Sequence, residues 1–114
     1  MTDKFDRIVR ERQEISDQIF ECEKAQRDLE NFEERIDNIF RKNQNLFFEM
    51  ESLYSVGELN YMSADLTLEL NRGRQQVFNA IENQNEEIKN NRYSLEDKES
   101  ELYYEQMRLS EEDS

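Results

Sequence analysis

Proline, histidine and tryptophan are absent from the sequence, and glycine occurs only twice. Proline is the strongest helix breaker and often marks loops. A chain of 114 residues without it is therefore predicted to form long helices joined by little loop. The lack of histidine removes the commonest general base and the commonest transition-metal ligand. We therefore expect no catalytic residue, no cofactor and no metal site, and we interpret the chain as a non-enzyme.

Cysteine and long apolar runs are equally scarce. Cys22 is the single cysteine, so an intramolecular disulfide and a thiolate zinc site are excluded, and we predict a small buried apolar side chain. The N-terminus lacks the apolar run of a Sec-type signal peptide, and no stretch approaches 18 apolar residues. We expect no membrane insertion and a cytoplasmic location, with any export depending on a folded shape or a partner.

Basic residues are outnumbered, since 15 Lys and Arg face 28 Asp and Glu, which gives a formal net charge of −13. Such a surface repels nucleic acid and anionic lipid, which are attracted by clusters of Lys and Arg. The acids are dispersed among bases, as on a solvated helix face. We expect protein partners and no nucleic acid, and an acidic inhibitor that mimics nucleic acid stays as a minor alternative.

What is present is a regular spacing of apolar residues. They recur three, four and seven apart from Phe5 to Tyr54 and again from Leu59 to Leu109, which is typical of one helix face. Helical sequence lapses at Val56-Gly57, where glycine can adopt the left-handed conformation that often ends a helix. The pattern predicts an all-α, antiparallel two-helix hairpin, with helices at about 3–54 and 59–109. We expect one domain, 1–114, with residues 110–114 as a frayed tail.

The hairpin alone buries only one seam per helix, meaning the stripe of residues that packs against the other helix. Burial of one seam rarely outweighs the entropy of ordering so many residues. A partner that completes a helical bundle is therefore expected. Large apolar residues near the turn exceed what one seam needs, so they either cap the tip or bind a partner. The predicted partner-binding residues are Phe47, Phe48, Met50, Leu53, Tyr54, Val56, Leu59, Tyr61, Met62 and Leu68.

Four further residues stand out. Asn43 interrupts an apolar series and is predicted to fix the register of the two helices. Gly73 lies inside the second helix, where it costs about 1 kcal/mol relative to Ala. It marks a kink, a close approach by a partner, or a tolerated surface position. Tyr103 and Tyr104 are adjacent, so both cannot face one seam, and they form a possible second contact.

Three short segments carry a family resemblance: the turn Ser55-Val56-Gly57, the run Glu99-Ser-Glu-Leu-Tyr-Tyr-Glu105 and the segment Leu109-Ser-Glu-Glu that follows it. With its hairpin shape and acidic surface, the whole chain resembles the small WXG-type proteins of type VII (ESX-like) secretion. It is most similar to their relatives encoded beside LXG toxins in Gram-positive bacteria. Ser55 stands where the tryptophan of that turn would fall.

The resemblance implies an accessory adaptor or targeting chaperone. Such a protein binds the helical N-terminal domain of an LXG-type toxin for type VII secretion, alone or with a second small helical accessory protein. The export motif of such proteins is an aromatic followed four residues later by an acid. Tyr93 and Asp97 match it, but other pairs match by chance, and an accessory factor could rely on a partner's signal and be exported with its cargo. The alternative function is a homo-oligomeric structural coiled coil, such as a four-helix dimer.

Overall fold

The computed structural model describes residues 2–53 and 57–112. Two helices account for nearly all of them: α1 spans Thr2–Leu53 and α2 spans Glu58–Glu112. No strand occurs within these described ranges, and the predicted all-α helical hairpin is confirmed. Tyr54, Ser55 and Val56 lie outside the described residues. The second helix continues three residues beyond the predicted end at Leu109, and fraying of the tail stays a prediction.

Gly57 immediately precedes the second helix. Its φ of 116° lies in the left-handed region, which glycine adopts without the steric penalty of a side chain. Its carbonyl accepts a hydrogen bond from the amide of Tyr61 at 3.3 Å. The sequence predicted this conformation at the turn, but as the end of the first helix. In the described residues Gly57 supplies the first carbonyl of α2, as an N-cap residue does, and its role in ending the first helix stays a prediction.

The chain divides into two compact units, which we call the terminal unit (Met1–Arg27 with Asn85–Ser114) and the central unit (Asp28–Gln84). In the terminal unit, Ile8, Ile15 and Leu102 form a buried cluster. Ile19, Leu95 and Leu109 pack against this cluster. Cys22 is also buried and carries a free thiol, so its predicted burial is confirmed. The single-domain organisation stays a prediction.

Polar residues also join the helices of the terminal unit. Arg12 donates through Nε and Nη2 to Oε1 of Glu99 at 2.8 and 2.6 Å, and through Nη1 to Oε1 of Gln106 at 2.6 Å. Arg92 donates to Oε1 of Gln26 at 2.7 Å. Within this unit, later residues of α1 meet earlier residues of α2, so the two segments are antiparallel. The polar residues Arg12 and Gln26 of α1 are therefore paired with polar residues of α2.

The central unit has a different seam. Ser63 is fully buried, with 0% exposure, and its hydroxyl donates to the carbonyl of Phe47 at 3.0 Å. A side chain this small lets the two backbones approach closely, a feature that the sequence analysis missed. Arg74 also donates to Asp37 at 2.8 Å across the seam. Asn43 is half-buried without a side-chain hydrogen bond to another described residue, and its role in setting register stays a prediction.

Candidate protein-interaction surface

The first helix carries a covered set of seam residues through the central unit and, beside it, a second apolar series that is left largely exposed. Ile36 and Phe47 are half-buried on the seam. The second series lies beside them and recurs every seven residues, so its members share one face of the helix. These side chains are Phe32, Ile39, Leu46 and Leu53, and they are 42%, 53%, 51% and 75% exposed.

The second helix shows the same arrangement. Ser63 and Ile81 are buried on its seam. Beside them, Leu59, Leu66 and Gly73 recur every seven residues, with Met62 next to this series. Leu59, Met62 and Leu66 are 42%, 51% and 38% exposed. α2 therefore also presents large apolar side chains that α1 does not cover.

The two exposed series lie on the same side of the central unit. On α1 the seam separates Asp37 on one flank from Ile39 on the other, and on α2 it separates Arg74 from Leu66. Because Asp37 and Arg74 form an ion pair, their flanks share one side of the helix pair. In an antiparallel pair the two remaining flanks then share the opposite side. We call this side the apolar face, formed by Phe32, Ile39, Leu46, Leu53, Leu59, Met62 and Leu66.

The predicted partner-binding residues divide between several places. Leu53, Leu59 and Met62 lie on the apolar face. Phe48 and Leu68 are 52% and 60% exposed, but each is two residues beyond a face residue and so points about 200° away around the helix. Tyr61 is exposed in the same way beyond Leu59. The half-buried members are Phe47 and Met50, and Tyr54 and Val56 lie outside the described residues.

Four residues of the apolar face were missed as binding residues: Phe32, Ile39, Leu46 and Leu66. The regular apolar spacing predicted one stripe on each helix that includes these residues, because series three and four residues apart are equally good neighbours on a helix face. The sequence signal that could have identified them is the number of neighbouring apolar series on the helix. A seam needs two neighbouring series, whereas α1 carries three through this unit.

Gly73 continues the α2 series of the face. The helix runs through it without interruption, and an added Cβ would meet nothing within 4 Å. Its own chain therefore imposes no close contact at this position. The interpretations of a kink, of a partner's approach and of a tolerated surface glycine all stay open.

The remaining candidates lie in the terminal unit. Tyr103 sits beneath the guanidinium of Arg12, 5.2 Å from its ring centroid, and Tyr104 packs edge-on against Tyr103 at 5.7 Å. Tyr103 therefore contacts a side chain of the other helix. The side chain of Tyr104 is 65% exposed and is the more accessible of the two to a partner. Tyr93 and Asp97 are exposed one turn apart on α2, and their role in export stays a prediction.

Other kinds of site are not seen in the described part of the chain. No group of three or more His, Cys, Asp or Glu side chains there could hold a metal ion. Neither helix, over its described length, has a segment apolar enough to span a bilayer. The arrangement offers exposed apolar surface on two helices, which can pack against another protein.

These features define the class of the protein: an all-α helical hairpin with an apolar face left open along its central unit. The chain belongs to the family described as "Protein of unknown function (DUF3958)", which matches residues 3–109. No curated protein and no solved structure matches the chain.

Proposed function

We propose that this protein is an adaptor that binds the helical N-terminal domain of an LXG-type toxin and targets the toxin for type VII secretion. The observation that carries the proposal is the apolar face. Monomeric proteins rarely expose a contiguous apolar patch larger than about 300–600 Å², and larger patches mark interaction sites. Here seven large side chains, each between 38% and 75% exposed, lie on one side of one helix pair.

The geometry favours a helical partner. The exposed series follow two antiparallel helices, and a second pair of helices laid against them would complete a four-helix arrangement with a shared core. The toxin domain itself is suggested by the family resemblance set out above. Targeting would follow from the complex, with the export signal on either chain.

The experiment is co-expression of this chain with an LXG-type N-terminal domain, followed by affinity capture and size exclusion. Two double variants make a matched test. Leu46→Glu with Leu66→Glu places two charges on the apolar face, and we expect binding to fall by about 100-fold or more, as for loss of central interface anchors.

The control is Phe48→Glu with Leu68→Glu. It adds the same charge two residues further along each helix, at side chains of comparable or greater exposure, but on the other side. We expect it to bind like the wild-type chain. Failure of the wild-type chain to co-elute with any such toxin domain, together with a stable monomer, would refute the proposal. A stable symmetric dimer that ignores the toxin would support the structural coiled coil instead.

A further inference from the structure

The edges of the apolar face carry charges in an uneven pattern. On α2, Asp65 and Glu69 stand three residues after Met62 and Leu66, and Glu58 stands four before Met62, so all three border the face. They are exposed. No ion pair joins them to another described residue. We call these three carboxylates the acidic rim.

The edge along α1 differs. Arg35, Lys42 and Glu49 follow Phe32, Ile39 and Leu46 by three residues each, and all three are exposed. The two bases lie away from the turn, and Glu49 lies nearer to it. The part of the face nearest the turn is therefore bordered by acids on both edges. Further from the turn, Arg35 and Lys42 border it on α1, and the exposed Arg72, seven residues after Asp65, lies along its edge on α2.

We propose that the apolar face binds a pair of helices whose apolar surface is bordered by basic side chains on the edge that meets the acidic rim. This inference rests on the proposed function for the toxin domain as occupant, but its chemistry is independent of that identity. Apolar contact supplies the attraction, while opposite charges at the border select the partner and its direction.

Charge also argues against a second copy as the occupant. The edges of the face hold five acids, Asp28, Glu49 and the acidic rim, against three bases, Arg35, Lys42 and Arg72. A second copy would bring the same excess, on a chain whose formal net charge is already −13. Like charges brought together at a border disfavour the complex.

The test uses two designed helix–loop–helix peptides with the same apolar face, one edged with lysine and one with glutamate. We expect the full-length protein to prefer the lysine-edged peptide by about tenfold or more, since three border pairs each contribute modestly. Replacing the acidic rim by Glu58→Lys, Asp65→Lys and Glu69→Lys should abolish or reverse that preference.

The control replaces Glu30, Glu34 and Glu82, which are exposed on the flank of the Asp37–Arg74 pair, by lysine. Each triple variant changes the charge by +6, from −13 to −7. The control should keep the preference of the wild-type chain, because only the acidic rim borders the face. An equal loss in both triple variants would show that net charge alone acts, and this would overturn the inference.

Two other outcomes also decide the matter. The inference would be overturned if the wild-type chain preferred neither peptide. It would also be overturned if sedimentation showed that a second copy covers the face and must leave before a peptide binds. Repeating the titration with an LXG-type N-terminal domain separates it from the proposed function. If the peptides bind as expected and no toxin domain does, the proposed function fails and the charge-selected face stands.

Discussion

Gly57 and Gly73 lie in different backbone conformations, so their side-chain requirements differ. Gly57 has a φ of 116°, where a side chain is strained, while Gly73 lies within α2 with open space around the position of a Cβ. Glycine inside a helix costs about 1 kcal/mol relative to alanine, because it loses more backbone entropy on folding. Nothing in the free chain explains why Gly73 is glycine.

One substitution at these two positions should therefore have opposite effects. We expect Gly73→Ala to raise the free energy of unfolding by up to about 1 kcal/mol. Gly57→Ala should lower it by more than about 1 kcal/mol, since alanine disfavours a positive φ. Urea unfolding followed by circular dichroism measures both. A loss of stability in Gly73→Ala would contradict the open space seen there. If Gly73→Ala is stabilised but binds the lysine-edged peptide more weakly, the result would favour close approach by a partner.

At the scale of the helices, the sequence was sufficient to predict both elements and their antiparallel pairing. Continuous helical spacing and the absence of proline explain why the boundaries agree closely. The choice of seam was not predictable in the same way, because the series of Phe40 and that of Ile39 flank Ile36 equally. That choice depends on the lateral position of α2, which contacts such as Asp37–Arg74 and the buried Ser63 hold in place.

The polar seam of the terminal unit should contribute more to register than to stability. Arg12→Leu leaves the partly buried Glu99 without its donor, and we expect the free energy of unfolding to fall by about 1–3 kcal/mol. Replacing both residues by leucine should recover most of that loss, because neither charge is then left unpaired. Thermal or urea unfolding of the two single variants and the double variant gives the coupling energy.

Ile15→Ala, in the neighbouring apolar cluster, provides the comparison. It should cost about 2–5 kcal/mol by opening a cavity. A coupling energy between Arg12 and Glu99 below about 0.5 kcal/mol would mean that the two side chains act independently. The pair would then have no special role in aligning the helices.

For the whole molecule, the excess of acids should make the free protein and its complex respond oppositely to salt. The formal net charge of −13 disfavours the folded state through self-repulsion. Raising the salt concentration from about 0.01 to 0.15 M shortens the screening length from about 30 to 8 Å. We expect the melting temperature of the free protein to rise by a few °C, since about 1 kcal/mol corresponds to roughly 4–8 °C in a small domain.

Binding of the lysine-edged peptide should weaken over the same range, because salt screens the attraction between opposite charges at the border of the face. The triple variant Glu30→Lys, Glu34→Lys, Glu82→Lys is the control for both measurements. With less self-repulsion it should gain less melting temperature from salt, while its binding should keep the salt dependence set by the acidic rim. A melting temperature that falls with salt would mean that ion pairs such as Asp37–Arg74 outweigh the repulsion, and folding of the free chain would then depend on those pairs.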